Sequence, residues 1–427
     1  MKHQELIAAI RGGAADEALV RLYGAEALDA QKARYVSAVE AFCALYGTDR
    51  DLGIYSVAGR SELSGNHTDH NHGCVIAASV DLDIIAVAAK REDSIIRVHS
   101  EGFPEDVVDI SAYTEPDTGK YATSASIIAG MSRAFTDKGL AVGGFDAYTT
   151  SSVLKGSGLS SSAAFEDMIG NILNHMYNGG KVDNVEISKY AQYAENVFFG
   201  KPCGLMDQVA CAMGGIVTID FADPAAPVIE RLDVDMSALG YKLCIVNTGG
   251  NHADLTDDYA SVPRDMKSAA AALGAEVLRE TDEEKLIAEI PALREKLGDR
   301  AILRSLHFFE ENKRVSAQVK ALRAGDIDGF FAGVLASGRS SFCYLQNVYT
   351  DKNPTEQGLS LALCLADIYL GSRRGAWRVH GGGFAGTIQA FVHNDDADGF
   401  RALMDSAFGE GKCMVLRIRP EGAVKII

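Results

Sequence analysis

A run of glycines and serines at residues 156–164, with the sequence GSGLSSSAA, has the composition of an anion-binding loop. Its glycines let the backbone approach a phosphate closely, and its hydroxyls can donate hydrogen bonds to phosphate oxygens. The run lacks the lysine of a Walker loop and the spacing of a dinucleotide-binding turn, so we predict a phosphate site of another class. A serine-rich turn that only caps a helix is the alternative. The residues predicted to bind phosphate are Gly156, Ser157, Gly158, Leu159, Ser160, Ser161 and Ser162.

Strands and helices must position this loop. Apolar residues three and four apart predict helices over much of the first fifty residues, over residues 122–138 and over residues 186–199. Short β-rich runs within residues 51–110 predict paired strands, and residues 144–152 predict a strand that leads into the loop. An amphipathic segment follows the loop directly, and the amides of a helix there would add partial positive charge at the phosphate site.

The chain is long enough for two domains, because single cores stop growing near about 250–300 residues and this chain has 427 residues. A segment with two prolines, residues 222–240, is the expected boundary. We predict an N-terminal lobe of residues 1–225 and a C-terminal lobe of residues 226–427. Both halves contain helices and strands, which indicates an α+β fold.

Charge and composition exclude several functions. A formal net charge of -17 opposes binding to nucleic acid or to an anionic membrane surface. The eight cysteines stand singly, without the spacing of a zinc site, and are expected to be reduced thiols. No signal-peptide pattern and no long apolar run is present, so we expect a cytoplasmic protein without a membrane partner. The sequence leaves the oligomeric state open.

Four further segments join the glycine-serine run in resembling a known family. GSGLSSSAA is similar to the second motif of the superfamily of galactokinase, homoserine kinase, mevalonate kinase and phosphomevalonate kinase, the GHMP kinases. Gly59–Gly73 resembles the galactokinase signature, Cys203–Gln208 its catalytic segment, and His380–Gly386 the third superfamily motif. Arg304–Val315 is also galactokinase-like. The resemblance runs from about residue 50 to the C-terminus.

This resemblance implies a fold and an activity. The expected architecture is the two-lobed GHMP kinase fold, with a ribosomal-protein-S5-like α/β lobe followed by a ferredoxin-like α+β lobe. The expected reaction is ATP-dependent phosphorylation of the anomeric hydroxyl of galactose, with Mg²⁺ as cofactor. The expected partners are therefore a small sugar and ATP.

The resemblance also implies catalytic and metal-binding residues. Asp207 would accept the proton of the anomeric hydroxyl or orient it. Arg60 would keep Asp207 ionised and stabilise charge on the transferred phosphoryl group. Ser162 and Glu195 match the metal ligands, which suits Mg²⁺ because this ion is usually held by few protein oxygens together with phosphates and water.

For the sugar, the resemblance implies a pocket built from a short polar loop and one tyrosine. Such fixed polar side chains provide the hydrogen bonds that orient a small ligand. The predicted sugar-binding residues are Asn66, His67, Thr68, Asp69 and Tyr259.

The signature departs from the family pattern in this loop. Position 66 normally carries Glu, so Asn66 removes a negative charge that would repel a carboxylate at C6 of the sugar. Galacturonate is therefore an alternative substrate. We interpret His70 and His72 as solvated or structural residues, because no metal-site spacing accompanies them. The other unusual residues are Ser61, Glu62, Ser64, His70, His72 and Leu154, where galactokinases usually have Val, Asn, Ile, Tyr, Gly and Pro.

Two hypotheses from other classes complete the set. The main hypothesis is a galactose-like sugar 1-kinase. The first alternative is a sugar- and ATP-binding sensor without catalysis, and the intact Asp207 and Arg60 argue against this sensor. A homoserine or mevalonate kinase ranks last, because those families lack the segments HTDH and MDQ found here.

Overall fold

The computed structural model describes residues 1–153, 158–250 and 255–427. These described residues form fourteen α-helices and twelve β-strands. The helices are α1 (His3–Arg11), α2 (Asp16–Tyr23), α3 (Leu28–Tyr46), α4 (Ser124–Asp137), α5 (Ser161–Tyr177), α6 (Asn184–Tyr193), α7 (Met206–Met213), α8 (Thr256–Ala272), α9 (Glu283–Ala288), α10 (Ile290–Leu297), α11 (Asp299–Ala324), α12 (Ile327–Ser340), α13 (Gly358–Leu370) and α14 (Asn394–Phe408). The strands are β1 (Leu52–Ser64), β2 (Cys74–Lys90), β3 (Ile95–Ser100), β4 (Asp106–Asp109), β5 (Phe145–Ser151), β6 (Ile216–Asp220), β7 (Val228–Leu232), β8 (Tyr241–Asn247), β9 (Gly375–Val379), β10 (Thr387–His393), β11 (Cys413–Leu416) and β12 (Ala423–Lys425).

Two long antiparallel strands, β1 and β2, form the centre of an eight-stranded sheet. β2 pairs with β6 along its first half and with β5 along its second half, so the sheet forks. The sheet order is β12-β1-β2-β5-β3-β4, and β7 extends the branch that begins at β6. The register of β1 on β2 is irregular between Ala58 and Gly59, directly before Arg60.

Helices cover both faces of this sheet. Along β2, Ile84, Ala86 and Ala88 pack toward α4 and α5. The alternate residues Ile85 and Val87, with Ala89 beyond them, pack against α1–α3. Because successive side chains of a strand point to opposite faces, a continuous apolar run is what a strand buried on both faces requires. The N-terminal helices predicted from the sequence are thus confirmed as a layer of the fold.

A second sheet has four strands in the order β11-β8-β10-β9. Along β8, Leu243 and Ile245 face α11, α12 and the first sheet, whereas Cys244 and Val246 face α13 and α14. The same alternation along one strand therefore joins the two sheets through a shared apolar core.

The mixed α and β architecture is confirmed, and so are the helices predicted over residues 122–138 and 186–199, which match α4 and α6 with its continuation in a π-helical turn. Strands β7 and β12 lie beyond residue 225 in sequence and still belong to the first sheet. The division into lobes at residue 225 stays a prediction. Across the described residues, every helix is too short or too polar to cross a membrane.

Candidate active site

An arginine and an aspartate from distant parts of the chain meet at the start of α5. Arg60 Nε lies 2.8 Å from Asp207 Oδ1, and Arg60 Nη2 lies 2.7 Å from Asp207 Oδ2. The hydroxyl of Ser160 donates to the same carboxylate, and Arg60 also donates to the carbonyl of Gly158. A bidentate guanidinium contact fixes the orientation of a carboxylate as well as its charge. This contact ties the first turn of α7 to the glycine-serine run.

The Asp207 carboxylate is ionised at neutral pH. Its burial acts to raise the pKa, but the charge of Arg60 and the Ser160 hydroxyl outweigh this effect and hold the pKa below its ordinary value of 3.8. About a third of the side chain remains exposed, at 35%, whereas Arg60 is 11% exposed. Asp207 can therefore meet a ligand from outside while Arg60 supports it from within.

The described part of the phosphate loop turns sharply into α5. Gly158 and Ser160 have positive φ angles of 74° and 56°. Leu159 is buried in the core, and its carbonyl accepts a hydrogen bond from the Arg60 backbone amide. Ser161 and Ser162 form the first turn of α5, where backbone amides are unpaired by the helix itself. The predicted residues Gly156 and Ser157, with Leu154, lie outside the described residues.

A buried polar cluster lies beside this loop. Glu195 is 5% exposed, and its Oε1 is 2.9 Å from Lys201 Nζ. Gln208 Nε2 donates to both Glu195 Oε2 and Glu166 Oε2, each at 3.0 Å. Burial, reinforced by the Glu195 charge, raises the pKa of Glu166 to about 8. Sequence reasoning missed Glu166, although its position one helical turn after Ser162 puts both on one face of α5.

The cluster contains oxygen atoms of the kind that a hard cation binds. Within the described ranges, no group of three or more His, Cys, Asp or Glu residues is arranged to hold a metal ion. Gln208 Oε1, however, is buried and has no hydrogen-bond partner among the described residues. Carboxylate and amide oxygens are ligands that Mg²⁺ accepts. The oxygens of Glu195 and Gln208 therefore suit such an ion when phosphates supply its other ligands.

The side chain of Asn66 is fully hydrogen-bonded inside the protein. Asn66 Nδ2 donates to Gly381 O at 2.8 Å and to Glu62 Oε1 at 3.2 Å. Its Oδ1 accepts from Asn347 at 2.9 Å and from Ser341 at 3.2 Å. All four hydrogen-bonding positions of the amide are used. In this structure Asn66 holds the loop in place and has no hydrogen-bonding position left for a ligand.

The carboxylate absent at position 66 is present at position 62. The galactokinase-like pattern has Asn at position 62 and Glu at position 66, whereas this chain has Glu62 and Asn66 in mutual contact. Glu62 also lies 2.9 Å from the fully buried Arg378. Position 66 carries no charge, as expected from the sequence, and the nearby carboxylate of Glu62 is paired with Arg378.

Other predicted sugar-binding residues contact the third glycine-rich motif or border the segment that carries Asp207. His67 Nε2 lies 2.9 Å from the Gly382 carbonyl, and burial lowers the His67 pKa to about 4, so its ring is neutral and donates. The Tyr259 hydroxyl donates to Gly383 O at 2.9 Å. Asp69 is 20% exposed, and a Cβ built on Gly204 would lie 3.2 Å from its Oδ2. Asp69 thus borders the segment that carries Asp207.

Thr68 and the two unusual histidines differ in their surroundings. The Thr68 hydroxyl contacts the carbonyls of Gly65 and Cys74 at 2.9 and 2.8 Å, so it fastens the loop to β2. His70 is 44% exposed and its Nε2 lies 3.6 Å from Asp69 Oδ1. His72 has a positive φ of 61° and ends the short helical turn of the loop. Their positions agree with solvated or structural roles.

The third glycine-rich motif, residues 380–386, contacts the polar loop of residues 66–69. The carbonyls of residues 381–383 accept hydrogen bonds from Asn66, His67 and Tyr259. Gly383 has a φ of 81°, and a Cβ there would lie 2.0 Å from Asn347 O, so only glycine fits. The motif presents backbone acceptors to the polar loop and brings two distant parts of the chain together at this point.

Comparisons with known proteins agree with this geometry. Residues 123–215 match the family of GHMP kinases N terminal domains, and residues 40–90 match the galactokinase galactose-binding signature. The chain is 31% identical over 375 residues to galactokinase from Streptomyces coelicolor, which covers 86% of this chain and 92% of that protein. It is 32% identical over 353 residues to galactokinase from Glaesserella parasuis, which covers 81% of this chain and 86% of that protein. The chain belongs to the galactokinase family.

Solved structures confirm the fold of this galactokinase-family protein. Lactococcus lactis galactokinase complexed with galactose superposes with a TM-score of 0.74 at 23% identity, covering 91% of this chain and 99% of that one. Methanococcus jannaschii mevalonate kinase superposes with a TM-score of 0.61 at 13% identity, covering 86% of this chain and 98% of that one. The protein has the GHMP kinase fold, and its family membership makes it a sugar kinase, a phosphotransferase.

Proposed function

We propose that this protein transfers the terminal phosphoryl group of ATP to the C1 hydroxyl of galactose, giving galactose 1-phosphate and ADP. The observation that carries the proposal is the bidentate Arg60–Asp207 contact beside the start of α5. It puts an ionised, partly exposed carboxylate next to a phosphate-binding loop. Kinases of this kind act mainly by positioning their substrates and stabilising charge.

Each residue has a defined task in this proposal. Asp207 orients the C1 hydroxyl and accepts its proton, which an anomeric hydroxyl releases more readily than an ordinary alcohol. Arg60 keeps Asp207 ionised and stabilises the negative charge on the phosphoryl group during its transfer. The loop of residues 156–162 and the first amides of α5 bind the phosphates of ATP.

Mg²⁺ belongs to the proposal as the cofactor, held by Ser162 and Glu195. When bound, the ion would neutralise charge on the phosphates. Ser162 is exposed in the first turn of α5, and Glu195 is linked to the helix of Asp207 through Gln208. A reaction that uses ATP fits a cytoplasmic location.

In this proposal the sugar binds beside the contact between the polar loop and the third glycine-rich motif. We assign Asp69, which is 20% exposed, to the sugar side of this region, together with His67 and Tyr259, each of which has a hydrogen bond to the third glycine-rich motif. Asn66 and Thr68, whose side chains are hydrogen-bonded within the protein, hold the loop in shape. A neutralised Glu62 gives no electrostatic reason to prefer galacturonate, so galactose is the proposed substrate and galacturonate the comparison.

The test is ADP formation by purified protein with Mg²⁺ and ATP, measured separately with galactose, galacturonate, N-acetylgalactosamine, glucose and arabinose. We expect turnover with galactose that depends on the sugar. Turnover confined to galacturonate would overturn the choice of sugar. Sugar binding without ADP formation from any sugar would instead make the protein a sensor.

A further inference from the structure

Lys201 follows the π-helical turn Ala194–Phe199 that carries Glu195. The turn ends at Gly200, whose positive φ of 80° reverses the chain so that Lys201 points back toward the turn. Lys201 Nζ then lies 2.9 Å from Glu195 Oε1, while 62% of the lysine side chain stays exposed. The residue proposed to bind the metal ion is therefore paired with a largely exposed cation.

The charges around Lys201 indicate why a cation is needed there. Glu166, Glu195 and Asp207 are three carboxylates that share this region with Arg60 and Lys201. Burial raises the pKa of Glu166 and acts to raise that of Asp207, and in both cases the Lys201 charge acts in the opposite direction. The Lys201 charge thus acts on carboxylates of both α5 and α7.

The two cations of the site differ in how firmly they are held. Arg60 is 11% exposed and contacts Asp207 through two hydrogen bonds. Separating this pair would leave the largely buried Arg60 charge without a partner, which is unfavourable. Among the described residues Lys201 has one ion-pair contact, to the buried Glu195, and because 62% of the lysine side chain is exposed, water competes for the ammonium. The Lys201–Glu195 contact is therefore the one that a ligand can exchange.

We propose that Lys201 is a phosphate-contacting residue, which leaves Glu195 when ATP binds and pairs with the terminal phosphate oxygens. The inference rests on the proposed kinase reaction, since it assumes ATP at the start of α5. An ammonium on a flexible stem can follow a phosphate as a point charge, whereas a planar guanidinium demands fixed geometry. The same movement removes the lysine partner of Glu195, one of the residues that would hold Mg²⁺.

A simpler role is that Lys201 only neutralises Glu195, and a double-mutant cycle separates the two roles. Binding of ATP in EDTA is measured by calorimetry for wild type, Lys201→Met, Glu195→Gln and the double variant. We expect Lys201→Met to weaken ATP binding about tenfold in the Glu195→Gln background too, because a phosphate contact persists without the carboxylate. No loss in that background would overturn the proposal, and so would the absence of any metal-free ATP binding by wild type.

Two controls complete the experiment. Lys189→Met removes a lysine that lies 2.7 Å from Glu186 and is 38% exposed, and it is expected to leave ATP binding unchanged. Lys201→Arg keeps the charge and is expected to bind ATP within about threefold of wild type; a loss equal to that of Lys201→Met would contradict a role based on charge. Thermal unfolding of each variant confirms that it is folded.

The outcome is independent of the sugar. ATP binding in EDTA involves neither acceptor nor turnover, so a Lys201-dependent loss supports the phosphate contact even if galactose is not phosphorylated. Galactose turnover by wild type with unchanged ATP binding in Lys201→Met would support the proposed reaction and overturn the role of Lys201.

Discussion

The Asp207 carboxylate is held between a guanidinium and a hydroxyl, and this environment decides its chemistry. A group with a pKa near 7 would be a stronger base, but the lowered pKa of Asp207 makes it a permanently charged acceptor at neutral pH. The environment suits a reaction in which the acceptor hydroxyl is already fairly acidic and mainly needs orientation.

Asp207→Asn is expected to lower kcat with galactose by at least about 100-fold, the usual contribution of a positioned acid or base. ATP affinity should change little. Steady-state kinetics and calorimetry measure the two quantities. Asp137→Asn is a matched control, because Asp137 also accepts from an arginine, Arg133, at 2.8 Å but lies on the surface. A variant with kcat near that of wild type would exclude Asp207 as the base.

The Glu62–Asn66 contact leads to a second prediction at this scale. Asn66→Glu places a second carboxylate against the buried Glu62 and is expected to destabilise the fold by about 3 kcal/mol. The exchanged double variant, Glu62→Asn with Asn66→Glu, restores one carboxylate and one amide and should recover most of this loss.

Urea unfolding of the two variants and wild type measures the recovery. A measurement of KM for galactose on the same proteins shows whether the order of the pair affects the sugar. Equal stability of Asn66→Glu and wild type would contradict the contact between residues 62 and 66.

At the scale of elements, helix α5 carries predicted phosphate-binding residues at its start and a buried carboxyl group without a hydrogen-bond partner further along. Its first turn carries Ser161 and Ser162, while Asp167 one turn and a half later is fully buried. Neither carboxyl oxygen of Asp167 has a hydrogen-bond partner among the described residues, and burial raises its pKa well above 3.8. A buried polar group without a partner destabilises a protein.

Asp167→Val is expected to stabilise the protein by about 2 kcal/mol, because it removes an unpaired polar group at similar volume. The raised pKa means that the folded state keeps a proton that the unfolded chain loses above pH 3.8, so wild-type stability falls as pH rises. The gain should therefore be larger at pH 8 than at pH 5.

Urea unfolding at both pH values tests this prediction. Glu40→Val, which replaces an exposed carboxylate on α3, is the control and should change stability by less than about 0.5 kcal/mol. A destabilised Asp167→Val variant would show that Asp167 has a partner.

At the scale of the molecule, one buried carboxylate joins the N-terminal helices, the first sheet and the C-terminal segment. Asp83 on β2 is 0% exposed and accepts hydrogen bonds from Arg34 of α3 at 2.6 Å and from Arg419 at 3.0 Å. Its backbone also bonds to Ser152, at the end of the strand that leads to the phosphate loop. The N-terminal helices are thereby connected to the end of the strand that precedes the predicted phosphate loop.

Asp83→Asn is expected to destabilise the protein by about 3 kcal/mol at pH 7, because the buried Arg419 and the partly exposed Arg34 lose their counter-ion. Burial opposes ionisation of Asp83, but Arg34 and Arg419 outweigh it and lower the pKa below 3.8. This stabilisation is present above the unfolded pKa and is lost as pH falls through the folded pKa.

Urea unfolding at pH 7 and below pH 3.8 checks both parts, since the difference from wild type should shrink in acid. Glu230→Gln breaks an exposed contact with Arg323 and should cost less than about 1 kcal/mol. An Asp83→Asn variant as stable as this control would refute the coupling.

Local patterns in the sequence determined much of this protein. Apolar periodicity located α3, α4 and α5, because a helix or strand must present its apolar side to a core whatever its neighbours are. The amino-acid sequences of the motifs identified the galactokinase family and indicated Asp207, Arg60 and the loop before α5 as site residues. Such features are readable because each is set by residues that lie close together in the chain.

Only the tertiary structure decided which side chains meet. Arg60 and Asp207 are 147 residues apart, and Glu62 and Arg378 are 316 apart, so no local pattern could pair them. The structure showed that the Asn66 amide is already satisfied, that Glu62 keeps the carboxylate, and that Lys201 reaches Glu195. Hydrogen bonds and ion pairs depend on distances of a few ångström that packing fixes, whereas the sequence records only which groups are available.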